Sequence, residues 1–568
     1  GLLCVILGNV FQLAGPQFLR HGIDALAGGA PLARVAWMAA ALVATAILTG
    51  AARFWMRQLL NGVSRKVEYD LRGHLYRHLE TLQPSFYHRN PTGDLMALST
   101  NDLAAVRMVA GPALMYFTET LTRVAMALPL MGQINWRLTA IGMIPLLGIP
   151  AGLVALGKRI EERFEEVQKH FADLTTFAHE NLSGVRVVRA YRQEEAHQRR
   201  FAELSTEYLR KNLRLARVYG VLFPAITLIG GLGSAATLWF GAVLVISGGV
   251  TLGDYVAFST YLVLLIWPMV ALGWVVNLFQ RGAASMGRIT RILEDRPTIL
   301  DPERPRALPP STGVRAIEFR DVWFRYPAPK PEGGPQRGWA LEAISFTAPA
   351  GAWIAVVGAT GSGKTTLVEL IPRLADPDRG AVLLDGVPLR ELRLAELRRT
   401  IGFVPQETFL FSRTIGENIG LGELGREAVE EAARVAQLHE TIAGFPAGYD
   451  TMLGERGINL SGGQKQRTAI ARALAKGPGV VVLDDALSAV DTETEAAILR
   501  GLKQALAGRT AIVVSHRITA VRDADLILVL DDGRIVERGR HEELFERRGR
   551  YWELLRRQQL EESLEAVG

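Results

Sequence analysis

Long apolar runs dominate the first half of the chain and predict helices that span a membrane. A helix of roughly 20 apolar residues crosses a bilayer. Nearly uncharged runs of that length cover residues 1–19, 35–52, 138–157, 219–251 and 252–280. A sixth, weaker run covers about residues 103–133 and contains Arg107, Glu119 and Arg123. Six spans would place both ends of this half on the same side of the membrane.

The charged residues of the sixth run have two interpretations. Glu119 and Arg123 are four positions apart, so they would meet on one helix face and pair with each other. Ionisable groups at membrane depth also commonly face a bundle interior or a water-filled cavity. Contact with a substrate therefore remains the alternative to a purely structural ion pair.

Two long segments between the spans are rich in Lys and Arg, and their apolar residues have helical spacing. They cover residues 57–107 and 158–217. Basic loops stay in the cytoplasm, so the segments predict membrane helices that continue into the cytoplasm and turn back. Short helices are expected at these turns, over residues 94–102 and 185–191.

The second half has a different pattern. Residues 296–313 contain five prolines and predict an extended linker. From Ala316 strands alternate with helices, which indicates an α/β domain. The predicted architecture is multidomain: an all-α transmembrane domain (1–295), a linker (296–315), an α/β P-loop nucleotide-binding domain (316–540) and a helical tail (541–568).

A glycine loop from Gly358 to Thr365 fits the phosphate-binding pattern G-x-x-x-x-G-K-[ST] between a predicted strand and a predicted helix. Its backbone N–H groups would surround phosphates. Lys364 would reach the β- and γ-phosphates, and Thr365 would hold Mg²⁺ together with Asp484, which ends a buried strand. The residues expected to bind the nucleotide here are Gly358, Thr360, Gly361, Ser362, Gly363, Lys364, Thr365 and Thr366.

A further motif, Leu460-Ser-Gly-Gly-Gln464, precedes a helical run. With it, the whole chain resembles the ATP-binding cassette (ABC) transporters of the exporter type. The resemblance implies that Tyr326 stacks on adenine, that Gln406 touches Mg²⁺ and that His516 contacts the γ-phosphate. It also implies an X-loop at 454–457 and a D-loop at 488–491. The signature residues that would close over a nucleotide are Ser461, Gly462, Gly463 and Gln464.

The same resemblance implies a function and a location. ATP and Mg²⁺ would be the cofactors, and ATP hydrolysis would drive export of hydrophobic compounds, lipids or peptides. The chain would lie in a bacterial inner membrane with its ATP-binding domain in the cytoplasm. In this family the signature of one cassette closes over ATP that is held by another. Since the chain has one cassette, a second half-transporter is the expected partner.

Asp485 departs from the family pattern, which has Glu directly after the aspartate that anchors Mg²⁺. The side chain is one methylene shorter, and a misplacement of about 1 Å can cost on the order of 10²-fold in rate. Asp485 is therefore expected to be a degenerate catalytic base in an asymmetric heterodimer, whose other chain carries Glu. The alternatives are a homodimeric lipid or drug flippase that uses Asp485 slowly, and an ATP-gated channel or regulator.

Composition adds few constraints. The net charge of +6 fits arginines near membrane spans, so no nucleic-acid partner is expected. Cys4 is the single cysteine, and no internal disulfide can form. The chain begins at Gly1 without Met, and residues upstream are expected.

The sequence of the tail predicts a solvated helix or one that pairs with the partner's tail. Aromatic residues that would line an apolar cavity or face lipid are Phe117, Trp239, Phe240, Tyr261 and Trp267.

Overall fold

The computed structural model describes residues 1–310, 313–326, 338–454, 457, 459–488, 492–506, 508–515, 517 and 521–565. They form two compact units. The first contains Gly1–Glu80 and Gly93–Asp295, and the second contains Thr81–Thr92 and Arg296–Gly568. The short segment Thr81–Thr92 therefore interrupts the first unit in sequence and belongs to the second.

Long helices make up the first unit. A helix rises about 1.5 Å per residue, so the 50 residues of the second one extend well beyond a hydrocarbon core of about 30 Å. This confirms the prediction of membrane helices with long extensions. The helices are α1 (Leu2–Ala27), α2 (Leu32–Thr81), α6 (Leu114–Ile134), α7 (Trp136–Ser183), α9 (Glu194–Ile246) and α10 (Leu252–Glu294).

Short helices occupy the connections. They are α3 (Pro84–Arg89), α4 (Thr92–Ala97), α5 (Leu103–Met108) and α8 (Val185–Ala190). The prediction of a regular helix over residues 94–102 is wrong for the second half of that segment. After Ala97 the chain forms a π-helical turn over Leu98–Asp102, and a second such turn, Val109–Ala113, follows α5.

Four helices in the described part of the chain are long and apolar enough to cross a membrane: α1, α2, α9 and α10. The helix α7 adds a shorter apolar stretch, Trp136–Gly148. Side-chain caps fix two helix starts. Asn135 accepts hydrogen bonds from the N–H groups of Arg137 and Leu138 at the start of α7. Thr251 and Asp254 form a capping box at the start of α10.

The core of the first unit forms around one face of α10, where Phe258 and Leu265 are fully buried. Tyr261 is buried in the same core. Its hydroxyl donates to the Leu13 carbonyl at 2.8 Å and accepts from Gln17 at 3.0 Å. The expectation that Tyr261 lines a cavity or faces lipid is therefore wrong, because helix packing encloses its ring. The other four candidate aromatic residues are exposed: Phe117, Trp239, Phe240 and Trp267.

The described residues of the second unit form two sheets. The six-stranded sheet has the order β10-β9-β3-β8-β7-β6, and the four-stranded sheet has the order β2-β1-β4-β5. Their strands are β1 (Ile317–Phe324), β2 (Leu341–Ala348), β3 (Trp353–Gly358), β4 (Arg379–Leu384), β5 (Val387–Pro388), β6 (Ile401–Val404), β7 (Val480–Asp484), β8 (Thr510–Val514), β9 (Leu526–Asp531) and β10 (Arg534–Gly539).

The inner strands of the larger sheet are buried on both faces, which explains why β3, β7, β8 and β9 are almost continuously apolar. The edge strand β10 alternates between exposed and half-buried positions. In β7, Val481 and Leu483 belong to one hydrophobic cluster, while Val480 and Val482 belong to another on the opposite face. The helices of this unit are α11 (Lys364–Glu369), α12 (Leu394–Thr400), α13 (Ile415–Gly420), α14 (Arg426–Val435), α15 (His439–Ala443), α16 (Gly462–Ala475), α17 (Thr492–Ala505), α18 (His541–Arg547) and α19 (Arg550–Glu565).

The start of the tail is packed against this unit. Leu544 of α18 and Tyr551 of α19 are fully buried in a cluster with residues of β3 and β9. The carboxylate of Glu537 accepts hydrogen bonds from the N–H groups of Arg550 and Tyr551, at 2.7 and 2.9 Å. A merely solvated helix is therefore the wrong description of this part of the tail.

Candidate nucleotide site

The glycine loop joins the end of β3 to the start of α11, and its shape requires glycine at two positions. A Cβ atom at Gly358 would lie 2.2 Å from the Leu530 carbonyl oxygen. At Gly363, where φ is +98°, a Cβ would lie 2.6 Å from the Ala340 carbonyl oxygen. Since neither oxygen can be replaced, both contacts exclude any side chain. The loop can therefore keep its backbone close to the neighbouring strands.

A cavity of about 270 Å³ lies beside this loop. The strands β3, β8 and β7 are parallel neighbours, so their carboxyl ends meet at the same edge of the sheet. The cavity collects most residues predicted to bind the nucleotide and metal, together with Ala340 and Val514, which were not predicted. The predicted residues on its wall are Tyr326, Thr360, Gly361, Gly363, Lys364, Thr365, Thr366, Gln406, Asp484 and Asp485.

Lys364 is buried and bound to its own loop. Its Nζ atom donates to the carbonyl oxygens of Gly358 and Ala359, at 2.9 and 2.8 Å. Burial lowers the pKa of this amine, while the charges of Asp484 and Asp485 act in the opposite direction. An ammonium held in this way can exchange loop carbonyls for phosphate oxygens without moving its backbone.

Asp484 ends β7 and is only 1% exposed. Burial raises the pKa of its carboxyl, and the neighbouring charge of Asp485 raises it further. A hydrogen bond with Thr365 and the charge of Lys364 lower it. Within the described residues, the buried Oδ2 atom of Asp484 has no hydrogen-bond partner.

These groups fit a divalent cation. Magnesium prefers oxygen ligands and few protein carboxylates. Asp484, Thr365 and Gln406 supply oxygen atoms on the same cavity wall. A buried carboxylate oxygen without a partner is costly, and a cation would offset that cost. The residues present therefore fit the metal that the sequence predicted.

Tyr326 stands on the cavity wall. Its hydroxyl hydrogen-bonds to Oγ1 of Thr366 at 2.9 Å, and burial raises the pKa of this phenol. Its ring packs edge-on against Phe324, with 5.1 Å between the ring centroids. The aromatic residue expected near the adenine thus lies close to the start of α11, where the loop would hold the phosphates.

Asp485 lies on the same cavity wall, and its backbone is fixed. Its φ angle of +47° is in the left-handed region, which few residues with a side chain adopt. Its N–H donates to the Val514 carbonyl oxygen at 3.0 Å, which ties it to β8. The residue also borders a second cavity of about 90 Å³ that Glu495 and Arg517 line. A carboxylate on this backbone has little freedom to make up for a missing methylene.

The signature residues are elsewhere in the second unit. Ser461 caps α16: its hydroxyl accepts from the N–H of Gln464, and its own N–H donates to the Gln464 side chain. Ser461 and Gly462 are exposed, and none of the described residues 460–464 lines the nucleotide cavity. The structure therefore does not bring the signature of this chain to its own glycine loop.

Several predicted residues lie outside the described part of the chain. They are His516, positions 455–456 of the X-loop and positions 489–491 of the D-loop. Ser488, which begins the D-loop, is described. Its hydroxyl accepts a hydrogen bond from Gln466 of α16 at 3.0 Å. This bond connects the signature helix to the D-loop.

One ion pair near the cavity was missed from the sequence. Arg517 forms an ion pair with Glu495, which is 2% exposed, and its N–H donates to the Ser515 hydroxyl at 2.9 Å. The pair joins α17 to the segment that follows β8. Glu495 looks like an ordinary surface acid in sequence. The position of Arg517, next to the predicted His516, was the one available signal.

A phosphate-binding α/β unit on a chain with long membrane helices defines an ATP-using membrane protein, and comparisons with known proteins agree. The model of the ABC transporter transmembrane region matches residues 1–269, and the ABC transporter model matches residues 341–488. The chain therefore belongs to the ABC transporter family, as an exporter that joins both domains and hydrolyses ATP. It is an integral membrane protein with a cytoplasmic ATP-binding domain.

Individual relatives cover nearly the whole chain. The probable multidrug resistance ABC transporter ATP-binding/permease protein YheI of Bacillus subtilis (strain 168) is 39% identical, over 98% of this chain and 94% of the relative. The ATP-dependent lipid A-core flippase of Syntrophus aciditrophicus (strain SB) is 34% identical, over 97% and 90%. A solved structure of a bacterial Atm1-family ABC exporter with ATP bound has a TM-score of 0.78 at 29% identity, over 98% and 97%.

Proposed function

We propose that this chain is one half of an asymmetric ABC exporter. Its own nucleotide site, built on Lys364, binds ATP and hydrolyses it poorly. Its signature, Ser461 to Gln464, completes the hydrolytic site of a second, different chain. The observation that carries this proposal is Asp485, which stands on the cavity wall at the position where the family has Glu.

The surroundings of Asp485 support this division of labour. A general base must reach a water molecule beside the γ-phosphate to within hydrogen-bond distance. The hydrogen bond from Asp485 N–H to the Val514 carbonyl fixes the residue to the sheet, and its left-handed backbone limits adjustment. The carboxylate therefore stops short of that water. By contrast, the cap that shapes Ser461 and Gln464 is intact.

The binding functions of the site do not depend on Asp485. Lys364 and the backbone N–H groups of the glycine loop would hold the phosphates, and Tyr326 would pack on the adenine. Thr365, Gln406 and Asp484 would hold Mg²⁺, which neutralises phosphate charge when it is bound. His516 would contact the γ-phosphate. ATP therefore remains bound in this site while the partner's site turns over.

The cargo class is proposed from the relatives. YheI is described as a probable multidrug resistance transporter, and the Syntrophus relative as a lipid A-core flippase. Both descriptions favour amphiphilic or apolar molecules, and peptides fit the same cargo class. A homodimeric flippase, in which Asp485 works slowly in both sites, is the second candidate, because a carboxylate is still present.

Two substitutions test the asymmetry in the transporter purified with its companion chain. Asp485→Ala should lower ATP turnover by less than about threefold, because this site contributes little. Ser461→Ala should nearly abolish turnover, because it damages the partner's site. Asp532→Ala is the matched control, since Asp532 has a similar left-handed backbone (φ +43°) and is exposed.

The opposite pattern would exclude the asymmetric exporter. A large loss of turnover from Asp485→Ala would show that this site hydrolyses ATP. Brisk turnover by the chain purified alone in a bilayer would favour the homodimer instead.

A further inference from the structure

Three charged residues of the first unit meet inside its apolar helices. They are Arg53 of α2 and Glu119 and Arg123 of α6. Glu119 lies fifteen residues before the end of α6, and Gln12, which contacts Arg53, lies fifteen before the end of α1. At about 1.5 Å per residue, both are about 22 Å from those helix ends, within a hydrocarbon core of about 30 Å.

Arg123 is buried and bound by other residues of the first unit. It is 4% exposed, and it forms an ion pair with Glu119, as the i,i+4 spacing predicted. Its Nε and Nη2 atoms also donate to Oδ1 of Asn9, at 3.3 and 3.2 Å. The amide of Asn9 donates in turn to the Glu119 carbonyl and the Thr122 hydroxyl. This network joins α1 to α6, and its role is structural.

Arg53 is different because its side chain remains 43% exposed. Its Nη2 atom donates to Oε1 of Gln12 at 2.8 Å. The same atom lies 3.8 Å from Oε1 of Glu119, the oxygen that already binds Arg123. Its Nε and Nη1 atoms make no hydrogen bond to the residues that the structure describes. Two guanidinium groups thus share one carboxylate, and the positive charge left over is at Arg53.

A charged group that is exposed at this depth does not face lipid tails, because that costs several kcal/mol. Ionisable groups within membrane spans almost always face the bundle interior or a water-filled cavity. An arginine there offers a planar fork of N–H donors, which matches carboxylate and phosphate groups in bidentate geometry.

We propose that Arg53 is a specificity-determining residue that binds the acidic group of an amphiphilic cargo, a carboxylate or phosphate attached to an apolar body. The inference rests on the proposed export function and names its substrate class. The charge count selects this class: Glu119 is already shared by two cations, so a cationic cargo finds no free anion here, whereas an anion completes the coordination of Arg53.

Equilibrium binding tests the inference without ATP, so a failure of hydrolysis or asymmetry cannot be mistaken for a failure of this site. The full-length transporter, with its companion chain, is placed in phosphatidylcholine nanodiscs. Tryptophan-to-dansyl energy transfer then measures binding of dansyl-undecanoic acid and of its uncharged methyl ester. Arg53→Gln should weaken binding of the acid about tenfold and leave the ester unchanged.

Two further variants make the result specific. Arg53→Lys keeps the charge without the planar fork, and its affinity for the acid should be intermediate. Arg57→Gln removes an exposed arginine one turn further along α2 and should change neither affinity. ATP turnover of each variant, measured in the same discs, shows that the protein is folded and tests the proposed function separately.

The outcomes separate the possibilities. Equal effects of Arg53→Gln on acid and ester, or no effect on either, would overturn the inference and leave Arg53 as a residue that extends to the membrane surface. If added phosphatidylglycerol displaces the acid from the wild type, the site accepts lipid headgroups. If it does not, the site accepts only soluble acids. Either result with phosphatidylglycerol supports an anion site, provided that Arg53→Gln is selective for the acid.

Discussion

The fold buries the carboxylate of Asp484 even when no cation is bound to it. Burial raises the pKa of this group, and Asp485 beside it raises the pKa further. A metal ion binds the charged form, so protons compete with it. Because the pKa is raised, this competition begins at a higher pH than for a solvated aspartate, whose pKa is about 3.9.

One prediction is that Mg²⁺ affinity, measured by titration calorimetry with a non-hydrolysable ATP analogue, begins to fall on acidification at a higher pH than a solvated aspartate would produce. Below the raised pKa, each pH unit should cost about tenfold in affinity, since one proton replaces the metal. Asp484→Asn should weaken Mg²⁺ binding at neutral pH and remove this pH dependence. An unchanged pH profile in Asp484→Asn would show that another group competes with the metal.

Two helices of the second unit, α17 and α19, are held by polar contacts that involve a buried side chain. The ion pair between Glu495 of α17 and Arg517 is nearly enclosed on the Glu495 side. The helix α19 is held by the buried phenol of Tyr551, whose hydroxyl hydrogen-bonds to Nδ1 of His541 at 2.8 Å. A separate prediction follows from each contact.

Removing Arg517 should destabilise the end of the sheet beside the nucleotide cavity. Arg517→Ala would leave the buried carboxylate of Glu495 without its cation, which costs about 3–5 kcal/mol. Hydrogen–deuterium exchange of the amides in β8 should then accelerate by about 10²-fold or more. The double variant Glu495→Gln with Arg517→Ala should recover part of the protection. Equal exchange in the single and double variants would contradict a role for the pair.

The phenol of Tyr551 should ionise at a higher pH than an ordinary tyrosine. Burial raises its pKa to about 12, whereas an unfolded tyrosine titrates near 10. The folded protein therefore holds this proton more tightly than the unfolded chain. The resulting stabilisation is complete below about pH 10 and is lost as the pH rises from about 10 to 12.

A difference titration checks this value. The 295-nm absorbance of the wild type minus that of Tyr551→Phe, followed against pH, should show one phenol with a midpoint near 12. A midpoint near 10 would mean that α19 leaves the sheet before the phenol ionises, or that it is not docked in solution.

For the molecule as a whole, sequence reasoning succeeded where short-range geometry limits the choice of residue. Gly358 and Gly363 are recognisable because a Cβ at either position would collide with backbone oxygens. The apolar runs predicted membrane helices because a bilayer tolerates few other structures. Asp484 lies on the cavity wall, as expected, because the buried strand before it ends at this edge of the sheet.

The features that were missed depend on partners distant in sequence. Arg53 meets Gln12 and Glu119, and Tyr261 is enclosed by contacts such as the one to Leu13. Local periodicity contains no information on such pairs. The Glu495–Arg517 pair is similar, since neither residue shows in sequence that it will be buried. Only the packing of the helices determines how deep Arg53 lies in the membrane. The same packing lets Arg53 and Arg123 share the carboxylate of Glu119.

The last prediction concerns the direction of transport, which separates an exporter from an ATP-gated channel. A channel can only equilibrate its ligand, whereas a pump coupled to ATP can exceed equilibrium. In inside-out vesicles that contain this chain and its companion, ATP should accumulate an amphiphilic dye well above the external concentration. Ser461→Ala should reduce this to the passive level, and Asp485→Ala should preserve most of it. Filling that stops at equal concentrations would identify a gated channel, because no ATP free energy would then have been stored in the gradient.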